Sequence, residues 1–328
     1  MKTDSSTPSH IHILCCTDSN YCPYAGVMLT SLLENNRHHH IDIHVATTDT
    51  NPDNHTRLAA LADKYGCGMH IIHVTQSELD SLPDAQCDWP KEAYLRFIAI
   101  TSLPQEVTRV LYLDCDIIVN TDIGDIWDHP LNGKAAAAVP DINNYILPHR
   151  RRLHISSQYF NSGVMLMDIA RCKAIDLTSR CLQIISTTSL DYPDQDALNM
   201  ALEGEVVYLP QKWNLVDGYL QTRYYKRLPS KIKKLVHAAM TGKRNAIIHY
   251  TGLYKPWRIG TYMFHPLYAV WKKFYHKSPW KNTDLWHRIP ASAMKRIVIS
   301  RLKIMYILGI TSSYNHTWIP SRHKPQAL

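Results

Sequence analysis

Strand-length apolar runs alternate with helix-length segments through the first 74 residues, and this alternation narrows the possible folds more than any other feature. His10-Ile-His-Ile-Leu-Cys-Cys16 reads as a buried strand, Thr17-Asp18-Ser19-Asn20-Tyr21 as a polar turn, and Pro23 to Glu34 as a helix. Ile41 to Thr47 gives a second strand, Asn51-Pro52 caps and opens a helix to Tyr65, and Met69 to Val74 gives a third strand. Repeated strand, helix, strand order predicts a parallel, Rossmann-like sheet. No G-x-G-x-x-G follows the first strand, and Thr241-Gly-Lys243 lacks the rest of a phosphate-binding loop, so dinucleotide enzymes and P-loop enzymes are disfavoured.

Val110-Leu-Tyr-Leu-Asp114-Cys-Asp116-Ile-Ile-Val119 breaks an apolar strand with two carboxylates one residue apart. Residues i and i+2 of a strand share a side, so a strand ending near Leu113 lets both acids converge at its carboxyl end. Two anions there repel unless a hard divalent cation lies between them, and Mg²⁺ or Mn²⁺ commonly completes its shell with water and phosphate. Taken alone, the pair also fits a solvated strand end or turn.

Further along, Lys91 to Thr101 reads as a helix opened by Pro90 and carrying Arg96. Ala135 to Val139 is a strand leading to Asp141, and Arg150-Arg-Arg152 is a basic turn. In Tyr159-Phe-Asn161-Ser-Gly163-Val-Met-Leu-Met167, the polar triplet inside an apolar run suggests backbone close to a ligand. A helix through about Thr187 follows, and Asp191-Tyr-Pro-Asp194-Gln195-Asp196 opens another at Ala197, as a ligand-facing turn or as a plain cap. Val206 to Leu209 is a strand, and Ala246-Ile-Ile-His249 ends a further one with an imidazole, before Gly252, Lys255 and Trp257. Most of the other 18 histidines, His38 to His40 among them, read as surface or satisfied core residues.

Charge divides the chain. Residues 218–328 hold 21 Lys and Arg against a single acid, Asp284, a net of +20, which leaves −12 on residues 1–217. A basic block of that kind faces an anionic partner: nucleic acid, phosphorylated glycolipid or a membrane leaflet. After Tyr262 the composition turns basic and aromatic, and a helix from Ala291 to Leu308 sets Met294, Ile297, Val298, Leu302, Ile304, Met305 and Leu308 on one face, with Arg301 intruding. Such a helix fits a membrane surface or packs on its own domain. No run approaches the roughly 20 apolar residues of a membrane span, Met1 to His10 is polar, and the eight cysteines form no C-x-x-C pair; reduced thiols and no translocation are expected.

Asp18-Ser-Asn20-Tyr21, Leu111-Tyr-Leu-Asp114-Cys-Asp116, Tyr159-Phe-Asn161-Ser-Gly163-Val, Asp194-Gln195-Asp196 and His249-Tyr-Thr-Gly252-x-x-Lys255-Pro-Trp257 together resemble glycosyltransferase family eight, over roughly residues 10–260. The tail after His265 more loosely resembles the extension of the family's bacterial lipopolysaccharide-core α-glucosyl- and galactosyltransferases. The resemblance implies an α/β GT-A fold over 8–262, with a basic, mainly helical extension over 263–328. It also implies a UDP-hexose donor, Mn²⁺ or Mg²⁺, and retaining transfer of glucose or galactose to lipopolysaccharide core. By position, Asp114, Asp116 and His249 would be metal ligands. Tyr21 would stack on uracil while Asp18 and Asn20 contact the uridine; Gly252 and Lys255 would hold the diphosphate; Arg96, Asp141, Asn161, Asp194 and Gln195 would line the donor sugar. A double displacement needs a carboxylate under the anomeric carbon, where the family position matches the amide of Gln195. Front-side attack is therefore favoured, with Asp194 as rival nucleophile. The expected setting is cytoplasmic and peripheral on the inner membrane.

Two other classes compete. A haloacid-dehalogenase-type phosphatase also has Asp-x-Asp at a strand end, but Ile118 departs from its Asp-x-Asp-x-Thr/Val pattern. A non-enzymatic nucleic-acid or anionic-surface binder draws on the +20 block and its aromatics.

Overall fold

The structure, a computed structural model, describes residues 10–84, 90–141, 144, 152–217, 225–240, 246–251, 255–259, 267–285 and 287–288. In chain order the amino-terminal elements are β1 (His10–Thr17), α1 (Cys22–Asn35), β2 (His40–Thr47), α2 (Pro52–Tyr65), β3 (Gly68–His73), α3 (Gln76–Asp80), α4 (Leu95–Ser102), β4 (Arg109–Leu113), β5 (Ile117–Val119) and α5 (Gly124–Trp127). After them come β6 (Ala136–Pro140), β7 (Phe160–Asp168), α6 (Ile169–Ala174), α7 (Leu177–Thr187), α8 (Pro193–Ala201), β8 (Val206–Tyr208), β9 (Leu215–Val216), α9 (Ser230–Met240), β10 (Ile247–His249), β11 (Arg258–Ile259), α10 (Tyr268–Tyr275) and β12 (His287–Arg288).

The expected α/β architecture is present. Among the described residues seven strands form one sheet in the order β3-β2-β1-β4-β7-β6-β8. The first four are mutually parallel, but β7 runs antiparallel to both β4 and β6. The first three strands are parallel as read from the sequence, whereas the reversal at β7 left no mark there, because an apolar pattern of period two carries no direction. The reversal has a use: it lays the first residues of β7 beside the last residues of β4, pairing Leu113 with Val164. A second, three-stranded sheet, β5-β10-β9, begins just beyond. Asp114-Cys115-Asp116 is thus the link where the chain steps from one sheet to the other, and the single run read from the sequence is two strands.

Alternate residues of β1 and β2 explain the two layers. Ile11, Ile13, Cys15, Ile41, Ile43 and Val45 pack beneath α1 and α2, while Leu14 and Ala46 face a second core shared with α4, α7 and α8. The Asn51-Pro52 cap holds as expected: the Asn51 side chain accepts from the Asp53 amide at 3.0 Å, and Gly66 closes α2 at φ 64°.

Three helix boundaries differ from expectation. Lys91–Tyr94 is a tight 3₁₀ turn ahead of α4. The segment expected to be one helix through Thr187 breaks at Asp176, whose φ is 52°. Helix α8 starts at Pro193, not Ala197, so Asp194, Gln195 and Asp196 lie inside its first turn. Proline favours the first helical position, and the sequence reading placed it one turn too early in the loop.

Residues 267–285 pack on α1: Trp271, Phe274 and Trp280 are buried in the same core, and Tyr24 Oη donates to the Leu285 carbonyl at 2.9 Å. Gly26 makes room for them, since a Cβ there would lie 1.9 Å from the Trp280 ring. Arg150, Arg151, Gly252 and the helix expected over 291–308 lie outside the described residues. Among the described residues no helix is long and apolar enough to cross a membrane.

Candidate active site

The sheet junction brings the two acids together, as their spacing implied, and sets beside them His249, which the family resemblance had grouped with them. Pairing of His249 with Ile117 in the small sheet sets the imidazole beside Asp116, and the Tyr250 amide donates to the Asp116 carbonyl at 2.9 Å. His249 Nε2 lies 3.0 Å from Asp116 Oδ1 and 3.7 Å from Asp114 Oδ2. Between the acids, Cys115 points away, its thiol donating to the Cys16 carbonyl at 3.0 Å. The opposite wall is Gly163, whose carbonyl accepts from the Asp114 amide at 2.9 Å. A Cβ on Gly163 would fall 2.2 Å from His249 and 2.7 Å from Asp114, so glycine is what lets β7 close on the pair.

Arg96, Asp194, His249 and Lys255 are buried and Asp114 and Asp116 half-buried, yet each charge is answered. Arg96 donates to Asp114 at 3.0 Å, lies 3.0 Å from Asp194, donates to the Ser162 carbonyl at 3.2 Å and spreads over the Tyr112 ring. Tyr112 Oη donates to Asp114 at 2.8 Å. Lys255 pairs with the second oxygen of Asp116. Burial works to raise the Asp116 carboxyl, but Lys255 and His249 outweigh it and hold the group below the ordinary carboxylate range. Burial likewise lowers and Asp116 more than restores the His249 and Lys255 values, so both end above their usual ones. Asp194 moves the other way: burial raises its carboxyl, and Arg96 offsets only part of that.

Asn161 joins this cluster to the next. Its amide group donates to Asp141 at 3.1 Å and to Gln195 Oε1 at 3.0 Å, and its oxygen accepts from Asn214 at 2.7 Å. Asn214 Oδ1 in turn meets His249 Nδ1 at 3.1 Å. With that amide oxygen as acceptor, Nδ1 carries a proton; Nε2 donates to Asp116 in the protonated ring and, on losing that proton, would offer its lone pair to a cation on the Asp114–Asp116 side. Gln195 is held at both ends, Oε1 accepting from the Ser162 amide at 3.0 Å and Nε2 donating to Tyr159 Oη at 3.1 Å. Asp196 faces away, accepting from Tyr159 Oη and from the Asp191 and Tyr192 amides.

Asp18, Asn20 and Tyr21 lie on the loop after β1, at the same end of the sheet. Asp18 accepts from the Tyr21 amide at 2.6 Å, Asn20 is exposed, and Tyr21 is 40 % exposed with its ring edge-on to Tyr24 at 5.4 Å. Tyr24 stacks on Trp257 at 4.5 Å. The loop is tied by buried Asp49, which accepts from Ser19 at 2.6 Å, Asn51 at 2.7 Å and Asn54 at 2.7 Å.

Asn214, Tyr112, Tyr159 and Asp49 escaped the sequence reading. Each acts through a partner at least 30 positions away or through a hydroxyl on an otherwise ordinary strand, apart from Tyr112, whose place two residues before Asp114 was a usable signal. Chemically, two carboxylate oxygens and one imidazole nitrogen, all within 4.8 Å of one another, fit a divalent cation of intermediate hardness. Bound there, it would neutralise both acids and polarise an anionic leaving group.

Comparison with known proteins agrees with this geometry. The family model described as glycosyl transferase family 8 matches residues 12–260. A lipopolysaccharide 1,2-glucosyltransferase of Escherichia coli K12 is 30 % identical over 270 residues, covering 81 % of this chain and 77 % of its own. General stress protein A of Bacillus subtilis is 28 % identical, covering 80 % of this chain and 94 % of its own. Among solved structures, the galactosyltransferase LgtC, in complex with donor and acceptor sugar analogues, superposes with a TM-score of 0.67 at 20 % identity over 83 % of this chain and 99 % of its own. That likeness is one of fold.

Proposed function

The chain belongs to glycosyl transferase family 8, and on that premise we propose a metal-dependent, retaining hexosyltransferase that moves glucose or galactose from a UDP-sugar to a hexose of the lipopolysaccharide core, forming an α-glycosidic bond. The observation that carries this reading is the convergence of Asp114, Asp116, His249 and Lys255 at the carboxyl ends of the strands, where open α/β sheets bind ligands. The names of the E. coli and LgtC relatives support a hexose donor and a glycolipid acceptor. The imidazole in the ligand set favours Mn²⁺ over Mg²⁺.

Sugar–phosphate cleavage builds negative charge on the departing diphosphate, and groups that meet that charge act most strongly at the transition state. Asp114, Asp116 and His249 would hold the cation there. With Asp116 committed to it, Lys255 turns its ammonium to the diphosphate together with Gly252. Tyr21 offers an exposed ring for uracil, and Asp18 and Asn20 the polar contacts to uridine. Arg96, Asp141, Asn161, Asp194 and Gln195 line the donor sugar. Gln195 is bonded at both ends and is an amide, so it positions rather than attacks. Asp194 is held by Arg96. Front-side displacement, with a leaving phosphate oxygen accepting the acceptor hydroxyl's proton, needs no enzyme nucleophile.

The basic extension, residues 263–328, would set the enzyme on phosphorylated core and on the anionic inner face of the inner membrane. Deleting 291–328 should weaken vesicle binding and spare slow donor hydrolysis; a truncated protein as firmly bound as the parent would overturn that role.

The deciding experiment is release of UDP from UDP-glucose and UDP-galactose, with Mn²⁺ and with chelator. Expected is metal-dependent release with one sugar preferred, falling by about 100-fold or more in Asp116→Asn. Release indifferent to chelator would overturn the metal role. No release with either sugar, core lipopolysaccharide supplied, together with salt-sensitive RNA binding would return the basic-binder reading.

A further inference from the structure

At the other end of β1–β3 the same sheet carries a cluster that glycosyl transfer does not use. His10 and His12 on β1, His40, Asp42 and His44 on β2, and His70 on β3 alternate with core residues and so share one face. Register aligns them in rows: His10 opposite His40, His12 opposite Asp42, His44 opposite His70. His10 and His40 are the first residues of their strands, which puts this face roughly 20 Å from the Asp114–Asp116 end.

The rings stand close. Centroids of His10 and His40 are 4.6 Å apart, and those of His10 and His12 are 4.7 Å apart. His10 Nε2 meets Asp42 Oδ2 at 2.6 Å, and one donor atom from each of His10, His40 and Asp42 falls within 4.8 Å of the others. Ligands about 2.0–2.1 Å from one tetrahedral ion lie about 3.4 Å apart, a distance that exposed imidazoles reach by rotating. Beneath them, His12 and His44 share a hydrogen bond of 3.2 Å, and the second ring nitrogen of buried His44 meets no partner among the described residues. Burying such an atom costs on the order of 1–3 kcal/mol, which a leucine at that position would avoid. Gly68 leaves space for Asp42, because a Cβ there would lie 1.8 Å from Asp42 Oδ1.

We propose that His10, His40 and Asp42 form a second metal site, for an imidazole-preferring transition ion of the Zn²⁺ class. Two imidazoles and a carboxylate with an open fourth position match the ligand set such ions take. The other candidate, His38 with His39 and Asp122, is less suited: Asp122 already accepts from the Gly124 amide at 2.7 Å as the lead-in to α5, and His39 is buried. The histidines read from the sequence as surface or satisfied residues therefore include a chemically organised set.

The test is Zn²⁺ binding to the full chain carrying Asp116→Asn, which disables the catalytic ligand set, followed by His10→Asn, His40→Asn and, separately, His38→Asn in that background. Expected is one equivalent of Zn²⁺ whose affinity falls at least tenfold in each of His10→Asn and His40→Asn and is unchanged in His38→Asn. In a chain with Asp116 intact, His40→Asn should leave Mn²⁺-dependent UDP release at the parent rate. Both exchanged rings are exposed, so folding is preserved, and circular dichroism checks it. Zn²⁺ affinity in His10→Asn or His40→Asn equal to that of the Asp116→Asn background, or loss confined to His38→Asn, overturns the proposal.

Discussion

At the carboxyl end of the sheet, Asp114 and Asp116 keep 23 % and 15 % of their side-chain surface and each meets two cationic groups, with Arg96, His249 and Lys255 buried and locked in turn by further bonds. At the amino end of β1–β3, Asp42 keeps 19 % of its side-chain surface and stands among imidazoles, of which His10 and His70 are more than half exposed. A glycine gives each carboxylate its space, Gly163 in one case and Gly68 in the other. The first cluster is prearranged at a desolvation cost that its ion pairs offset; the second can rotate freely to meet a ligand but holds it with less fixed geometry.

The largest expected effect is at Arg96. Arg96→Met would leave buried Asp194 and half-buried Asp114 without their shared cation, a loss of about 3–5 kcal/mol in urea unfolding. Burial already raises the Asp194 carboxyl, so Arg96→Met with Asp194→Asn should recover part of that loss. A single variant within about 1 kcal/mol of the parent would mean that water takes over the role of the cation, and the two ends would then differ less than their pairing implies.

The paired glycines probe the same contrast directly. In Gly163→Ala the new methyl meets His249 and Asp114, both hydrogen-bonded and unable to move, so a loss of about 1–3 kcal/mol and reduced metal-dependent turnover are expected. In Gly68→Ala it meets Asp42 Oδ1, on a carboxylate whose only short contact among the described residues is to the exposed His10 ring, and the two can shift together toward solvent. Stability should stay within about 0.5 kcal/mol while Zn²⁺ binding weakens. Equal destabilisation by the two changes would erase the distinction drawn between the clusters.

The catalytic end was far more legible in the sequence than the amino end. Asp114 and Asp116 announced themselves as carboxylates breaking an apolar run, and strand periodicity alone implied their convergence. The family resemblance added His249, Arg96 and Gln195, all of which the fold brings to one network. What spacing could not give was Asn214, placed by a second sheet whose two- and three-residue strands leave almost no pattern, or the reversal of β7, since alternation has no polarity. The histidines of β1–β3 were visible but inert on the page, because parallel register turns His10 and His40 into neighbours 30 positions apart.

Asn214 offers a finer test of the locked end. Removing its contact to His249 Nδ1 frees the tautomer and the ring, so Asn214→Ala should raise the Mn²⁺ concentration for half-maximal UDP release about 10- to 100-fold, with turnover at saturating Mn²⁺ retained. A fall in turnover without change in metal requirement would place Asn214 with the sugar-lining residues instead.

The smallest effect tests pairing at a third carboxylate of similar exposure. Glu34, at the end of α1, is 12 % exposed at its side chain, close to Asp42, yet is paired as fully as Asp114, with Lys277, Arg37 and Tyr65. Burial acts to raise its carboxyl, but Lys277, then Tyr65 and Arg37, bring it down to about 2 from an ordinary 4.5. A depressed carboxyl contributes stability that is complete above pH 4.5 and is lost as pH falls toward 2. Glu34→Gln should therefore lower stability at pH 7 by at most about 1 kcal/mol, given solvent screening of pairs near the surface. The gap to the parent should close as urea midpoints are followed from pH 4.5 to pH 2. A gap that persists at pH 2 would trace the effect to lost packing between α1 and the segment after α10, and packing rather than pairing would then set the strength of such clusters.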